Sequence, residues 1–218
     1  MIINRFSKIS GTTITEINGQ DKLAFSLSTF DSFYDLLEWP QVGKHPGGTI
    51  SFYNLETGHV DTPFSIKPNT LYGNVVFSKD GYYFLKYDHD EKEIVLYKYT
   101  VDGSVEEITS LDSNYMDLYN LSVIGDNIHI ISQDENFTCY FPEKFTFKMN
   151  QREAVLHIAG EKVYLCRWVE EGWDCKKNCP SDQYKYYDML VIRDFGGNIL
   201  SEEVGVLQQI SDGRWWIS

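Results

Sequence analysis

The 218 residues carry 19 Lys and Arg against 32 Asp and Glu, a formal charge of −13 at pH 7, with 42% hydrophobic and 15% aromatic residues. That composition excludes a disordered or collagen-like chain. The acidic field excludes nucleic acid and anionic membranes as partners and attracts a basic protein or a cation, and no apolar run reaches the ~18 residues of a membrane span.

The opening MIINRFSKISG has no apolar stretch followed by a small-residue cleavage site, so a cytoplasmic protein is expected. In that compartment the default for Cys139, Cys166, Cys175 and Cys179 is the free thiol. Cys139 and Cys166 sit in alternating apolar stretches, where a cysteine behaves as a small hydrophobe. Cys175 and Cys179, in WDCKKNCPSD, are placed either to close a short disulfide or to give half a metal site, but no nearby His or Cys completes the ligand set. Asn120-Leu121-Ser122 and Asn136-Phe137-Thr138 match the glycosylation acceptor pattern, which matters only after secretion.

Along the chain, β-branched and aromatic runs alternate with turns, with 15 Tyr and 13 Phe among them. TTITEI, Asn18-Gly19 and KLAFSLS predict a first hairpin. Residues 31–39, DSFYDLLEW, predict a short helix capped by Asp31 or Ser32, with Phe33, Leu36 and Leu37 on one side and Pro40 as its stop. TISFYN and HVDTPFSI complete a four-strand unit. The second unit runs GNVVFS, the turn Ser78-Lys79-Asp80-Gly81, YYFLKYD, EIVLYKY, Asp102-Gly103 and SVEEIT. A third has LYNLSVI, NIHIIS, FTCYF and KFTFKM; a fourth has EAVLHI, KVYLCRW, YYDMLVIR and NILSEEV. VLQQI and RWWIS begin a fifth. The units start near residues 12, 73, 118, 153 and 206, at spacings of 61, 45, 35 and 53, the long ones containing loop insertions.

Recurring units of four antiparallel strands follow the plan of a β-propeller, in which each blade buries its faces on its neighbours. FSKDGYYFLKY, residues 77–87, followed by EIVLYKY and Asp102-Gly103, resembles the repeat of TolB-type, WD-like β-propellers. Residues 73–109 fit that repeat well, and the other units keep only its turn and alternation. The resemblance implies a fold and brings no catalytic residue. The reading is therefore all-β: one propeller-like domain over 1–218, with five blades of four antiparallel strands. It is closed by IINRFSKI pairing with the C-terminal strands. A fragment of a larger ring and a β-sandwich-like arrangement are the alternatives.

In a propeller the loops joining second and third strands share one face. Here they are 31–47, 89–93, 133–136 and 169–186, all with carboxylates. The two long ones carry aromatics, Phe33, Tyr34 and Trp39 in one and Trp173, Tyr184 and Tyr186 in the other. Exposed aromatics ringed by acid have the composition of a binding patch, unless they fold back over the blades. Phe33, Tyr34, Trp39 and Trp173 are the predicted binding residues, Trp39 and Trp173 as anchors. Glu38, Asp90, Glu170, Glu171 and Asp174 are the steering charges. A protein partner, basic in character, is expected.

Asp88-His89-Asp90-Glu91 reads either as a cation loop or as a solvated hairpin tip. His129 and His157 read as satisfied core histidines, and His45, in GKHPGG, as part of a flexible hinge. No Gly-x-Ser-x-Gly, His-Glu-x-x-His or phosphate-loop motif occurs, and nothing calls for a cofactor or a metal. The enzymatic alternative is glycoside cleavage by Glu16, Asp117 and Glu153 on innermost strands. The others are a carbohydrate-binding propeller and a structural piece of a larger assembly.

Overall fold

The computed structural model describes residues 3–8, 13–79, 81–210 and 212–218. Ile2, Ile9, Thr12, Asp80 and Ser211, each part of a strand or turn read from the sequence, lie outside the described residues.

The protein is all-β, and its sheets follow one another in chain order. The first contains β1 (Thr15–Glu16), β2 (Leu23–Leu27), β3 (Ile50–Asn54) and β4 (Val60–Asp61) as an antiparallel meander. The second contains β5 (Thr70–Tyr72), β6 (Val76–Ser78), β7 (Gly81–Asp88), β8 (Glu93–Tyr99) and β9 (Val105–Asp112). Here β5 and β6 pair with opposite ends of β7, as two halves of one interrupted strand. The third is β10 (Ser122–Ile124), β11 (His129–Gln133), β12 (Asn136–Phe141) and β13 (Phe145–Lys148). The fourth is β14 (Glu153–Ala159), β15 (Lys162–Asp174), β16 (Cys179–Asp194) and β17 (Ile199–Val204). The last is a hairpin of β18 (Leu207–Gln209) and β19 (Trp215–Ile217). The units read from the sequence thus form antiparallel sheets; β5 was not foreseen, and of HVDTPFSI only Val60–Asp61 is strand.

Alternation explains the core, because successive side chains of a strand point to opposite faces. Three buried clusters each bridge consecutive sheets. Phe25, Phe52, Phe84 and Tyr99 join the first to the second. Leu85, Ile94, Leu96, Val123 and Ile130 join the second to the third. Ile131, Phe137, Ile158, Leu165 and Val191 join the third to the fourth. Polar contacts repeat the pattern: Tyr82 donates to Gln20 Oε1 at 2.8 Å, Ser78 to the Asp126 carbonyl at 2.6 Å, and the Val155 N–H to Gln133 Oε1 at 2.8 Å. The hairpin touches both its neighbours. Trp215 lies against His157, ring centroids 4.4 Å apart, and a Cβ on Gly213 would stand 3.4 Å from the Gly19 Cα.

Among the described residues the N-terminal segment does not join the hairpin. The Ser7 N–H donates to the Gly58 carbonyl at 2.7 Å, Ser7 Oγ accepts from the Val60 N–H at 3.1 Å, and Phe6 packs edge-on against Tyr53 at 5.0 Å. The described part of IINRFSKI therefore lies along the first sheet, and among the described residues β19 pairs only with β18. Phe6 packs against the buried cluster of Ala24, Tyr53 and Val60. Among the described residues no helix is long and apolar enough to cross a membrane.

Candidate functional site

The 31–47 segment is pinned, which corrects the expectation of a hinge. His45 is 1% exposed. Its N–H donates to Asn69 Oδ1 at 2.8 Å, and the Asn69 N–H returns a bond to the His45 carbonyl at 3.0 Å. The Gly47 N–H donates to His45 Nδ1 at 2.8 Å, so the ring proton sits on Nε2, which donates to Asp31 Oδ2, also at 2.8 Å. That bond, with one from Thr29, holds the Asp31 carboxyl below the usual carboxylate range. Gly47 has φ +90°, and a Cβ there would lie 2.0 Å from the Lys67 carbonyl oxygen, so only glycine fits. His45→Ala is expected to cost about 2 kcal/mol, since it strands buried partners. It should also speed hydrogen exchange of amides 35–43, as read by mass spectrometry.

The predicted helix is instead two 3₁₀ turns, Asp35–Leu37 and Trp39–Gln41. Pro40 supplies no N–H, and Asp35 Oδ2 takes the Ser32 N–H at 2.6 Å, so the segment closes in short turns. Phe33, 5% exposed, folds into the core edge-on to Tyr87 at 5.8 Å. Trp39 is half-buried, its ring 4.8 Å from His45 and edge-on to it. These two aromatics fold back over the sheets beneath them. Tyr34 stays outside, 41% exposed and edge-on to Tyr119 at 5.8 Å. Leu37, expected on the apolar side, is 45% exposed, and Glu38 is exposed.

The second long loop is not a loop. β14 covers β15 only as far as Arg167, and β17 covers β16 only back to Met189. Beyond them β15 and β16 continue as a free two-stranded ribbon, pairing Trp168 with Asp188 through to Asp174 with Cys179. A bulge between Glu171 and Trp173 centres on Gly172, at φ +77°, where a Cβ would lie 2.6 Å from the Gln183 carbonyl oxygen. The bulge turns Trp173 onto the face of its neighbours, and a row of rings results. Trp168 to Tyr186, Tyr186 to Tyr184, and Tyr184 to Trp173 measure 6.4, 6.3 and 6.0 Å between centroids. The Arg152 guanidinium lies 4.5 Å above Trp168 and bonds Glu170 at 3.0 Å.

The ribbon carboxylates are engaged locally. Glu170 accepts from Tyr184 at 2.7 Å, and Glu171 accepts from Tyr187 at 2.8 Å and pairs with Lys185 at 2.9 Å. Asp174 accepts from the Lys176 and Lys177 N–H groups and so closes the tip. Elsewhere, Asp90 accepts from Asn69 at 2.9 Å, while buried Asp88 pairs with Lys67 at 2.5 Å. Among the described residues no hydrogen bond, ion pair or ring contact joins the 31–47 segment to the ribbon, and no cluster of His, Cys, Asp and Glu is arranged to hold a metal.

The four cysteines are free, and burial pushes the Cys139 thiol up to about 11. His157 Nε2 bonds Asp126 at 2.8 Å, whereas the buried His129 leaves Nδ1 without a partner, so only the first is a satisfied histidine. The Glu153 side chain is buried between Arg167 and Arg193, and Glu16 and Asp117 are exposed. Of the three carboxylates weighed for glycoside cleavage, Glu153 is thus committed to two arginines.

Sequence reasoning missed the His45–Asp31–Asn69 pin, whose partners lie far apart in the chain. It also left Trp168 out of the aromatic set. Period-2 spacing of Trp168 and Glu170, and of Tyr184 and Tyr186, was the signal available. No family model, no curated protein and no solved structure matches this chain.

Proposed function

We propose that this chain is a five-bladed, propeller-like binding module that recognises a basic protein partner without catalysis. The radial arrangement is supported by one cavity of about 670 Å³ lined from all five sheets, among others by Thr15, Val76, Ile124, His157 and Trp215. The contacts of the C-terminal hairpin with both the fourth sheet and the first support it too.

The observation that carries the function is the ribbon. An isolated two-stranded ribbon is barely stable in water, yet this one projects past its sheet with Trp168, Trp173 and Tyr186 38%, 41% and 67% exposed. Rings in a row, bordered by Glu170, Glu171 and Asp174, suit a partner that offers apolar anchors and cations, and Tyr and Trp dominate interface energetics. Tyr34 and Glu38 extend the same reading to the first loop, whereas Phe33 belongs to the core beneath it.

The test is to purify a basic protein retained from host extract and measure its binding directly. Trp173→Ala is expected to weaken it by about 10- to 30-fold. Raising salt from about 50 to about 500 mM should slow association, because steering charges are screened. Affinity unchanged by both would remove the reading.

A further inference from the structure

A cleft that shares no lining residue with the ribbon offers different chemistry, independent of the function proposed above. An open cleft of about 510 Å³ is built from the end of the first sheet, the 29–35 segment, residues 72–74 and residues 118–123. That volume is within the range of small-ligand sites. Its floor is apolar, formed by Phe25, Tyr72 and Val123, each under 7% exposed. Its rim carries Tyr34 and Tyr119, 41% and 47% exposed and in edge-to-face contact. Phe30 stands beside them at 83% exposed.

The polar groups narrow the ligand further. Among the described residues no Lys, Arg or His lines the cleft. The only charged residues lining it among those described are Asp31 and Asp35, and both are occupied, Asp31 by His45 and Thr29 and Asp35 by Ser32. Thr15, Asn74 and Ser122 are among the residues lining the cleft, and their side chains have no hydrogen-bond partner among the described residues. An anion such as a phosphate would meet two carboxylates and no cation, an uncompensated cost. A purely apolar ligand would leave the amide and hydroxyls without partners. What fits is an uncharged molecule with hydroxyls along its edges and C–H groups on its faces, the edges to Thr15, Asn74 and Ser122 and a face against one ring of the Tyr34–Tyr119 pair.

We infer that this cleft binds a neutral oligosaccharide, with a ring face of the edge-to-face Tyr34–Tyr119 pair as its stacking surface and Asn74 among its hydrogen-bonding side chains. This is recognition, with no bond made or broken.

The experiment titrates the purified full chain, 15N-labelled, with four neutral hexasaccharides: β-1,4-linked glucose, xylose and N-acetylglucosamine, and α-1,4-linked glucose. An oligogalacturonate of the same length is the charged control. At least one neutral hexamer is expected to bind in the micromolar to millimolar range. Its shift changes should centre on Thr15, Asn74, Tyr119 and Ser122, and the galacturonate should bind more weakly. Tyr34→Ala or Tyr119→Ala is expected to weaken binding about tenfold, while Tyr34→Phe retains it. Both tyrosines are partly exposed, so unchanged thermal unfolding of the variants checks that the fold survives. The inference is overturned by no shift with any neutral hexamer up to about 10 mM. Shifts lying outside the cleft, preference for the galacturonate, or full affinity in the Tyr34→Ala, Tyr119→Ala double variant would overturn it equally. Pure chain and pure sugars are used, so failure to find a protein partner for the ribbon would not affect the result.

Discussion

Replacing Glu153 with glutamine is expected to cost the fold about 3 to 5 kcal/mol, the range for breaking a buried ion pair from one side. The Glu153 side chain is fully buried, and Arg193 is 4% exposed. Arg193 reaches both carboxylate oxygens, at 2.9 and 2.8 Å, and Arg167 donates to Oε1 from Nε and NH2 at 3.0 and 2.8 Å. The Asn150 N–H adds a bond at 2.8 Å, and Arg167 turns its remaining nitrogen to Glu202, also at 2.8 Å. Glutamine keeps the shape and removes the charge, which leaves Arg193 buried without an anion. The same cluster predicts a pH dependence. Burial works to raise the Glu153 pKa, but the bond from the Asn150 N–H, the bond from Arg167 and the charge of Arg193 together outweigh it and hold the carboxyl below its ordinary 4.5. A depressed folded-state pKa gives stability that is fully present above the unfolded value and lost as pH falls through the folded one. Urea unfolding should therefore show a wide gap between wild type and Glu153→Gln at neutral pH. The gap should narrow in acid below the ordinary glutamate range. An equal gap at both would show that the charge contributes nothing.

Phe52→Ala is expected to cost a comparable 3 to 5 kcal/mol, through lost burial and the cavity left behind. Phe52 is 1% exposed and stacks on Tyr99 with centroids 3.8 Å apart and planes 5° from parallel; Phe84 lies 5.7 Å away. Tyr99 also donates to Asp61 at 2.9 Å, so the ring that loses its stacking partner also ties the second sheet to the first. The loss is large against the 5 to 15 kcal/mol typical of a whole domain. Ile199→Ala, at a side chain 49% exposed on β17, is the control and should change stability by under about 0.5 kcal/mol. Calorimetric melting of the three proteins measures the difference.

The sheets were legible in the sequence because half-buried strands alternate. Leu85, Tyr87, Ile94 and Leu96 mark their inward positions by residue type alone, and Ile130, Phe137, Leu165 and Val191 do the same further on. The ribbon was not legible for the same reason in reverse. Largely uncovered by neighbouring strands, residues 169–174 and 179–187 bury too little to impose a full alternation, so that only the short 168/170 and 184/186 spacing remained, and Gly172 and CKKNCP read as loop. The pin at His45 was hidden because its histidine, carboxylate and amide sit at positions 45, 31 and 69, and only the folded chain brings them together. The cleft was hidden likewise, since Tyr34, Asn74 and Tyr119 come from three separate connections. The aromatics of the first loop divided between core and surface, Phe33 inward and Tyr34 outward, a choice made by the 3₁₀ geometry and not by residue type.

The short C-terminal hairpin has a consequence for how the molecule assembles. The three buried clusters join sheets that are neighbours in the chain, so each forms as soon as its two sheets exist, at little loop-closure entropy. The approach of Gly213 to Gly19 spans nearly the whole polypeptide and rests on a hairpin of two three-residue strands. It is the costliest closure, held by the smallest element. The hairpin is therefore expected to fasten last and fray first, which faster hydrogen exchange of amides 207–209 and 215–217 than of the other strands would check.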